Sequence, residues 1–101
     1  MAPRTARIVR DSAVLHGEPH IDGRRISVRQ IAQWVEEAGL TARAVADRHD
    51  LDVADVYAAL TYYHSNPDEM AAATRRVREF ERRAREEDAV SLAELREHGA
   101  P

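Results

Sequence analysis

From residue 28 onward, apolar residues recur at spacings of three and four, which predicts a series of short amphipathic helices. Ser27 and Gln30 have the spacing of a capping box at the start of the first helix, and Gly39 can end it in a left-handed conformation. The residues that share one face of this helix are Val28, Ile31, Ala32, Val35 and Ala38. Trp34 lies beside this stripe, where it either borders the core or contacts a partner.

Two more helices are predicted after Gly39. Thr41 is the expected N-cap of the second, which ends near His49, and Asp52 is the expected N-cap of the third. The third helix is predicted to face inward with Val53, Val56, Tyr57, Leu60, Tyr63 and His64, and outward with Ala54, Asp55, Ala58, Ala59 and Tyr62. Short helices separated by tight turns are typical of a trihelical helix-turn-helix core.

Short apolar runs precede the first helix. The runs at 6–10 and 13–15 have the length of brief strands, and residues 1–5 are expected to be a frayed tail. Asp22-Gly23 favours a type I′ turn, so residues 19–26 are predicted to form a small hairpin. We therefore expect a strand or hairpin arm over residues 1–26.

The pattern changes again after Asn66. Asn66 and Pro67 have the order of an N-cap and a first helical residue. A heptad-like seam of about two repeats follows, formed by Met70, Ala73, Val77, Phe80 and Ala84. Ser91 and Glu94 form a second capping box, which predicts a separate short last helix.

Together these elements predict a mainly α protein. It has an N-terminal strand/hairpin arm (1–26), a trihelical homeodomain-like helix-turn-helix core (27–66) and a C-terminal helical extension (67–101). Much of the apolar content is alanine, so the core is thin and dimerisation is expected. The extension could complete a homodimer, which we favour, or wrap a partner protein. The predicted partner-binding residues are Met70, Val77, Phe80, Leu92 and Leu95.

Composition narrows the possible classes. No cysteine is present, which excludes disulfides and thiolate metal sites, and no apolar run reaches the ~20 residues of a membrane span. The N-terminal arginines are not followed by an apolar run, so no secretory signal is expected and a cytoplasmic location is predicted. All fifteen basic residues are arginine, as a GC-rich genome would give.

Charge is unevenly distributed along the chain. Residues 1–35 carry six arginines against three acids, a net charge of +3, whereas residues 36–74 carry two arginines against eight acids, a net charge of −6. A positive arm on an acidic body suits a phosphate contact or an acidic partner. The candidate DNA-binding residues are Arg24, Arg25, Arg29, Arg43 and Arg48, acting on the phosphate backbone.

The third helix argues against base reading. It offers none of the Arg, Asn or Gln side chains that make bidentate base contacts, and Asp52 and Asp55 would repel phosphate. The alternative is that Arg25 braces the hairpin and that the other arginines are solvated.

Metal binding and catalysis have little support in the sequence. His16, Glu18 and His20 alternate as they would on one face of a strand, but Gly17 and Pro19 interrupt them. Surface histidines are the alternative, and His49 and His64 are ligand candidates only by residue type. There is no cysteine nucleophile, phosphate-binding glycine loop or serine elbow, so no cofactor, metal or enzymatic activity is expected.

Two blocks of residues resemble a known family. Gly17-x-Pro19-x-Ile21-x-Gly23-x-Arg25-Ile26-x-Val28 resembles the signature of the domain-of-unknown-function-433 family. Leu51-x-x-x-Asp55-Val56-x-x-Ala59-Leu60-x-Tyr62-Tyr63 resembles its second block, so the likeness covers about residues 8–65. This sequence departs from the signature with His16 at a usual glycine, Arg24 at threonine and Ser27 at proline.

The resemblance implies a homeodomain-like helical domain with a strand arm, usually dimeric. Family members are regarded as antitoxins paired with a PIN-like nuclease, with DNA binding that represses their own operon. We therefore expect a dimeric, antitoxin-like binding protein. The alternatives are a helix-turn-helix transcriptional regulator without a toxin, and a structural dimer with an unknown ligand.

Overall fold

The computed structural model describes residues 7–99, and this part of the chain is mainly helical. Its strands are β1 (Ile8–Val9) and β2 (His20–Ile21), and its helices are α1 (Val28–Ala32), α2 (Ala42–His49), α3 (Val53–Ser65) and α4 (Pro67–Gly99). The predicted mainly α fold, with a short antiparallel strand pair before the helices and a C-terminal helical extension, is confirmed. The predicted frayed tail lies outside the described residues. The chain divides into one unit ending at Met70 and a second starting at Ala71.

In the first unit, the arm is a pair of two-residue strands. β1 and β2 are antiparallel, with Ile8 opposite Ile21 and Val9 opposite His20. On its other side, β2 meets the entrance of α1 through a bridge between His20 and Ser27. Backbone hydrogen bonds on both sides of β2 therefore tie the arm to the first helix.

The turn after β2 closes on glycine but differs from the predicted type. Arg24 N donates to Ile21 O at 3.0 Å, and Gly23 has a φ of +77°. Asp22 does not have a positive φ, whereas a type I′ turn requires one at both central residues. The turn therefore has the type II pattern, in which only the third residue is left-handed.

The predicted strand at residues 13–15 is wrong, because this segment is a turn. Val14 N donates to Asp11 O, and the Asp11 carboxylate accepts from Ala13 N, which ends any extended run. Leu15, His16 and Gly17 then have φ values of 50°, 55° and 82°, a left-handed turn of three residues. Glycine reaches this conformation without steric cost, which accounts for the glycine usual in the signature at His16.

α1 begins as the sequence predicts and then changes its hydrogen bonding. The Ser27 side chain accepts from Gln30 N and the Gln30 side chain accepts from Ser27 N, so the capping box is confirmed. Residues Gln33–Glu37 form a π-helical turn, with Ala38 N donating to Gln33 O at 2.8 Å. Such a turn shifts the following side chains around the helix axis relative to an α-helix.

α2 and α3 begin at the predicted residues. Thr41 caps α2 by accepting from Ala44 N, and Asp50 ends it in a left-handed conformation. Asp52 precedes α3 as predicted, but its side chain makes no capping hydrogen bond.

The predicted inward face of α3 is wrong in part. Val56 is buried as predicted, but Asp55 and Ala59, which were predicted to face outward, are buried too, at 4% and 0% exposure. Tyr57, predicted to face inward, is 58% exposed, and His64 is also exposed. Asp55 can occupy an inward position because Arg7 Nη1 lies 2.9 Å from its carboxylate.

A small cluster fills the core of the first unit. Its buried members are Ile21, Val28, Ile31, Val45, Ala46, Val56, Ala59 and Met70. Trp34 packs at the edge of this cluster and stacks on His49, with ring centroids 4.1 Å apart. The expectation that Trp34 borders the core is therefore confirmed.

α4 begins at Pro67, with Asn66 before it, as predicted. The predicted break before Ser91 is wrong, since α4 continues to Gly99. No glycine or proline lies between Pro67 and Gly99, so nothing in the local sequence stops the helix. In the described part of the chain, no helix is long and apolar enough to cross a membrane.

Candidate functional site

The five arginines predicted to contact DNA fall into two groups, and Arg29 belongs to the group with partners inside the protein. Arg29 Nε lies 3.0 Å from Glu18 Oε1, and the two side chains are only 14% and 15% exposed. Nearby, the buried His20 places Nδ1 2.9 Å from the backbone oxygen of Glu18. Arg29 therefore links α1 to the segment that leads into β2.

Arg24 also has a partner inside the protein. Its guanidinium donates to the backbone oxygen of Asp50 and lies 3.7 Å from the Asp50 carboxylate. It thus connects the turn after β2 to the end of α2. Because its side chain is 43% exposed, a phosphate could still reach it.

The second group consists of Arg25, Arg43 and Arg48. All three are exposed, and none forms an ion pair with another residue in the described range. Arg25 lies in the turn after β2, and the other two lie in the first and last turns of α2. These three side chains are available to an anionic ligand.

A shallow groove of about 460 Å³ in the first unit is lined by an arginine that was not predicted, in addition to two that were. Arg10, Arg24 and Arg25 line it, together with Asp11 and Asp22, so its charged side chains sum to +1. Sequence reasoning missed Arg10, whose position in a strand-like run gave no signal of a site.

Arg10 is held by α3 and by the first turn of α4. Its guanidinium contacts the Tyr62 hydroxyl and the Glu69 carboxylate, and its central carbon lies 5.9 Å from the centre of the Tyr62 ring. The hydrogen bond to Tyr62 raises the pKa of Arg10, and burial raises the pKa of Tyr62. Arg10 is thus positioned by three contacts while remaining exposed.

The outward face of α3 is less acidic than the sequence indicates. Asp55 is buried against Arg7, and only Asp52, 77% exposed, stays at the surface near the start of the helix. The exposed positions that follow on α3 are Ala54, Tyr57, Thr61, His64 and Ser65. The predicted repulsion of phosphate therefore falls to one carboxylate.

The histidines are spread over separate contacts. His16 is exposed, Glu18 is paired with Arg29, and His20 is buried. His49 stacks on Trp34, and His64 contacts Glu36. Among the described residues, no group of three or more His, Cys, Asp or Glu side chains is placed to hold a metal ion.

In the second unit, α4 exposes several large apolar side chains. Phe80, Leu92 and Leu95 are 75%, 59% and 67% exposed, and Val77 is half-buried. Val90, which was not among the predicted partner-binding residues, is 56% exposed. Met70 differs, since it belongs to the core of the first unit and is 2% exposed, so a partner surface on α4 excludes it.

At 100° per residue, these side chains occupy defined sectors of α4. Val77, Phe80, Ala84 and Leu95 fall within a sector of about 60°, which we call the seam. Leu92 lies about 60° beyond Leu95, and Val90 lies about 80° from Phe80 on the other side.

Charged side chains also pair along α4. Arg82 pairs with both Glu79 and Glu86, and Arg83 pairs with Glu79. The hydrogen bond from Arg82 lowers the pKa of Glu79. These exposed pairs stabilise a helix only slightly.

Residues 8–63 match the model of a family described as "Protein of unknown function (DUF433)". No curated protein and no solved structure matches the chain. The matched residues include both strands, α1, α2 and most of α3, and they end before α4.

Proposed function

The chain belongs to the DUF433 family of proteins of unknown function, and from this premise we propose that it is an antitoxin-like binding protein. In this proposal the protein is dimeric, non-catalytic and cytoplasmic. It neutralises a PIN-like nuclease through α4 and represses its own operon.

The observation that carries the proposal is the exposed apolar surface of α4. Phe80, Val90, Leu92 and Leu95 are each more than half exposed on one helix. Large apolar residues grouped on an exposed helix are typical of a protein-binding surface. Amphipathic helices bind partner proteins by laying such residues into a groove.

The arginines of the first unit support the second part of the proposal. Arg25, Arg43 and Arg48 are exposed and have no ion pair in the described range, so they can contact phosphates. Arg24 can join them, whereas Arg29 is occupied by Glu18. Contacts of this kind position a protein on DNA without reading its sequence.

The test uses a PIN-like nuclease encoded next to this gene, co-expressed with the protein. A variant with Val90→Glu and Leu92→Glu adds two charges to the exposed apolar surface. The control, Ala89→Glu with Ala93→Glu, adds the same charges to the same stretch of α4 but keeps both large apolar side chains.

We expect the wild type and the control to relieve the growth defect that the nuclease causes, and the variant to fail. Circular dichroism should show the same helix content in all three proteins. A wild type that gives no relief, or a variant that performs as well as the control, would contradict the nuclease role.

A second candidate function, a DNA-binding regulator without a toxin, is favoured by the same free arginines. A gel shift with the DNA upstream of the gene, at moderate salt, tests it. We expect a shift that Arg24→Ala with Arg25→Ala weakens. Absence of a shift, or a shift that these changes leave intact, would exclude the role assigned to the arm.

A further inference from the structure

We propose that the α4 segment of residues 71–99 pairs in an antiparallel arrangement with the same segment of a second copy of this chain. The inference rests on the proposed function for the existence of a dimer, and it does not depend on the nuclease. It specifies which surface forms the dimer and in which orientation.

The first support is the division of charge along the segment. Residues 75–85 carry six arginines and two glutamates, a net charge of +4. Residues 86–96 carry four acids and one arginine, a net charge of −3. A parallel pair would place like charges together, whereas an antiparallel pair places each basic half beside an acidic half.

Many of these charges form no ion pair with any residue in the described range. In the basic half, Arg75, Arg76, Arg78 and Arg85 form no ion pair with any described residue. The same holds in the acidic half for Glu87, Asp88 and Glu94. Glu81 in the basic half and Arg96 in the acidic half also form no ion pair with any described residue, so the unpaired charges sum to +3 in one half and −2 in the other. A second copy in the opposite direction would bring these opposite charges together.

The second support is the order of residues along the seam. An antiparallel pair centred between residues 87 and 88 places Phe80 opposite Leu95 of the second copy. The same centre places Ala84 opposite Ser91, which lies on the same side of the helix as the seam. The two most exposed apolar side chains thus meet, and the small side chains between them allow the helices to approach closely.

The centre of the pair contains an unfavourable contact. Glu87 and Asp88 flank the seam at the midpoint, so each lies near the acids of the other copy. Like charges at this distance weaken the association. Removing them should therefore tighten the dimer, an effect opposite to that of removing free arginines.

The pairing leaves part of α4 uncovered. Val90 and Leu92 lie outside the seam, one on each side. They remain available to the nuclease in the proposed function, so one helix can serve both contacts.

Orientation can be tested by cysteine cross-linking, because the chain contains no cysteine. Ala84→Cys and Ser91→Cys are made as separate proteins and oxidised alone and in a mixture. We expect a covalent dimer only in the mixture, since residue 84 lies opposite residue 91. Rapid cross-linking of each variant to itself would show parallel pairing, and no cross-linking in the mixture would exclude the register; either result overturns the proposal.

Strength is tested by sedimentation equilibrium of the purified full chain. Arg76→Gln removes a free arginine about 40° from Phe80, beside the seam, and should weaken the dimer about threefold. The matched control, Arg75→Gln, removes the same charge on the side away from the seam and should have a smaller effect. Glu87→Gln with Asp88→Asn should tighten the dimer, with all differences reduced at high salt.

A wild type that stays monomeric would overturn the inference, and so would equal effects of the two arginine variants. Neither outcome bears on the growth assay, in which a monomer can still neutralise the nuclease. A monomer would also contradict the dimeric state in the proposed function, whereas a dimer with equal arginine effects or with the wrong cross-links would overturn the inference alone.

Discussion

The ion pair between Arg29 and Glu18 can be tested directly for its role in stability. Arg29 was predicted from sequence to contact DNA, whereas the structure pairs it with Glu18 inside the first unit. Replacing Arg29 with alanine leaves the Glu18 carboxylate without its partner at 15% exposure. A hydrogen bond to a charged group contributes about 1.5–3 kcal/mol, and an unpaired, largely buried charge adds a cost of its own. We therefore expect a loss of about 2 kcal/mol in the free energy of unfolding.

Urea unfolding followed by circular dichroism measures this loss. With an m-value of about 1 kcal/mol/M, the midpoint should fall by about 2 M. Arg43→Ala, an exposed arginine on α2, is the control and should change stability by less than about 0.5 kcal/mol. The double variant Glu18→Gln/Arg29→Ala removes both charges, so its loss should be smaller than the sum of the losses of Glu18→Gln and Arg29→Ala.

Two results would refute this reasoning. One is an Arg29→Ala midpoint equal to that of Arg43→Ala, and the other is strict additivity in the double variant. Either would mean that the pair does not hold the arm to α1.

Three further predictions concern the turn after β1, the base of α3 and the pairs on α4. His16→Gly should raise the free energy of unfolding by about 0.5 kcal/mol, because His16 has a positive φ. Ala13→Gly, at a position without a positive φ, should lower the free energy of unfolding, and thermal melts of the two variants measure the difference. Asp55→Asn should lower the free energy of unfolding by about 1–2 kcal/mol in urea, since it removes the buried charge that pairs with Arg7. A loss smaller than about 0.5 kcal/mol would contradict that role. The pKa of Glu79 is lowered, so its pairs stabilise α4 at neutral pH and this contribution is lost as the pH falls through the lowered value. Glu79→Gln should therefore remove part of the acid-induced loss of helical circular dichroism, and an unchanged acid transition would contradict it.

Local rules predicted the starts of helices well. The capping box at Ser27, the cap at Thr41 and the start of α4 at Pro67 each depend on a few adjacent residues, and the structure contains all three. The predicted end of α4 before Ser91 was wrong for a related reason. A capping pattern such as that at Ser91 signals a helix start only where the preceding residues leave the helix, and here they do not.

Features that depend on distant residues were not predictable in this way. The inward position of Asp55 requires Arg7, which lies 48 residues earlier in the chain. The π-helical turn at Gln33–Glu37 leaves no mark in apolar periodicity, and Arg10 becomes part of a groove only through Tyr62 and Glu69. For the candidate site, the sequence indicates which arginines exist but not which of them already have partners.

Whether an arginine already forms an ion pair also determines what can bind to the two surfaces of this protein, the arm with α2 and the exposed part of α4. An arginine paired inside the fold, such as Arg29, stabilises the arm. Breaking its ion pair in order to bind a ligand would lower the stability of the fold. An exposed arginine that forms no ion pair with a described residue, such as Arg25 or Arg76, contributes nothing of that kind to the described fold. In the first unit these free cations are few and scattered around the arm and α2, which suits contacts to a phosphate backbone. On α4 the free arginines are concentrated in residues 75–85, and free acids are concentrated in residues 86–96. A polyanion would complement only the first of these two halves. A second copy running in the opposite direction matches both halves at once, and the charge of α4 therefore favours self-association over nucleic-acid binding.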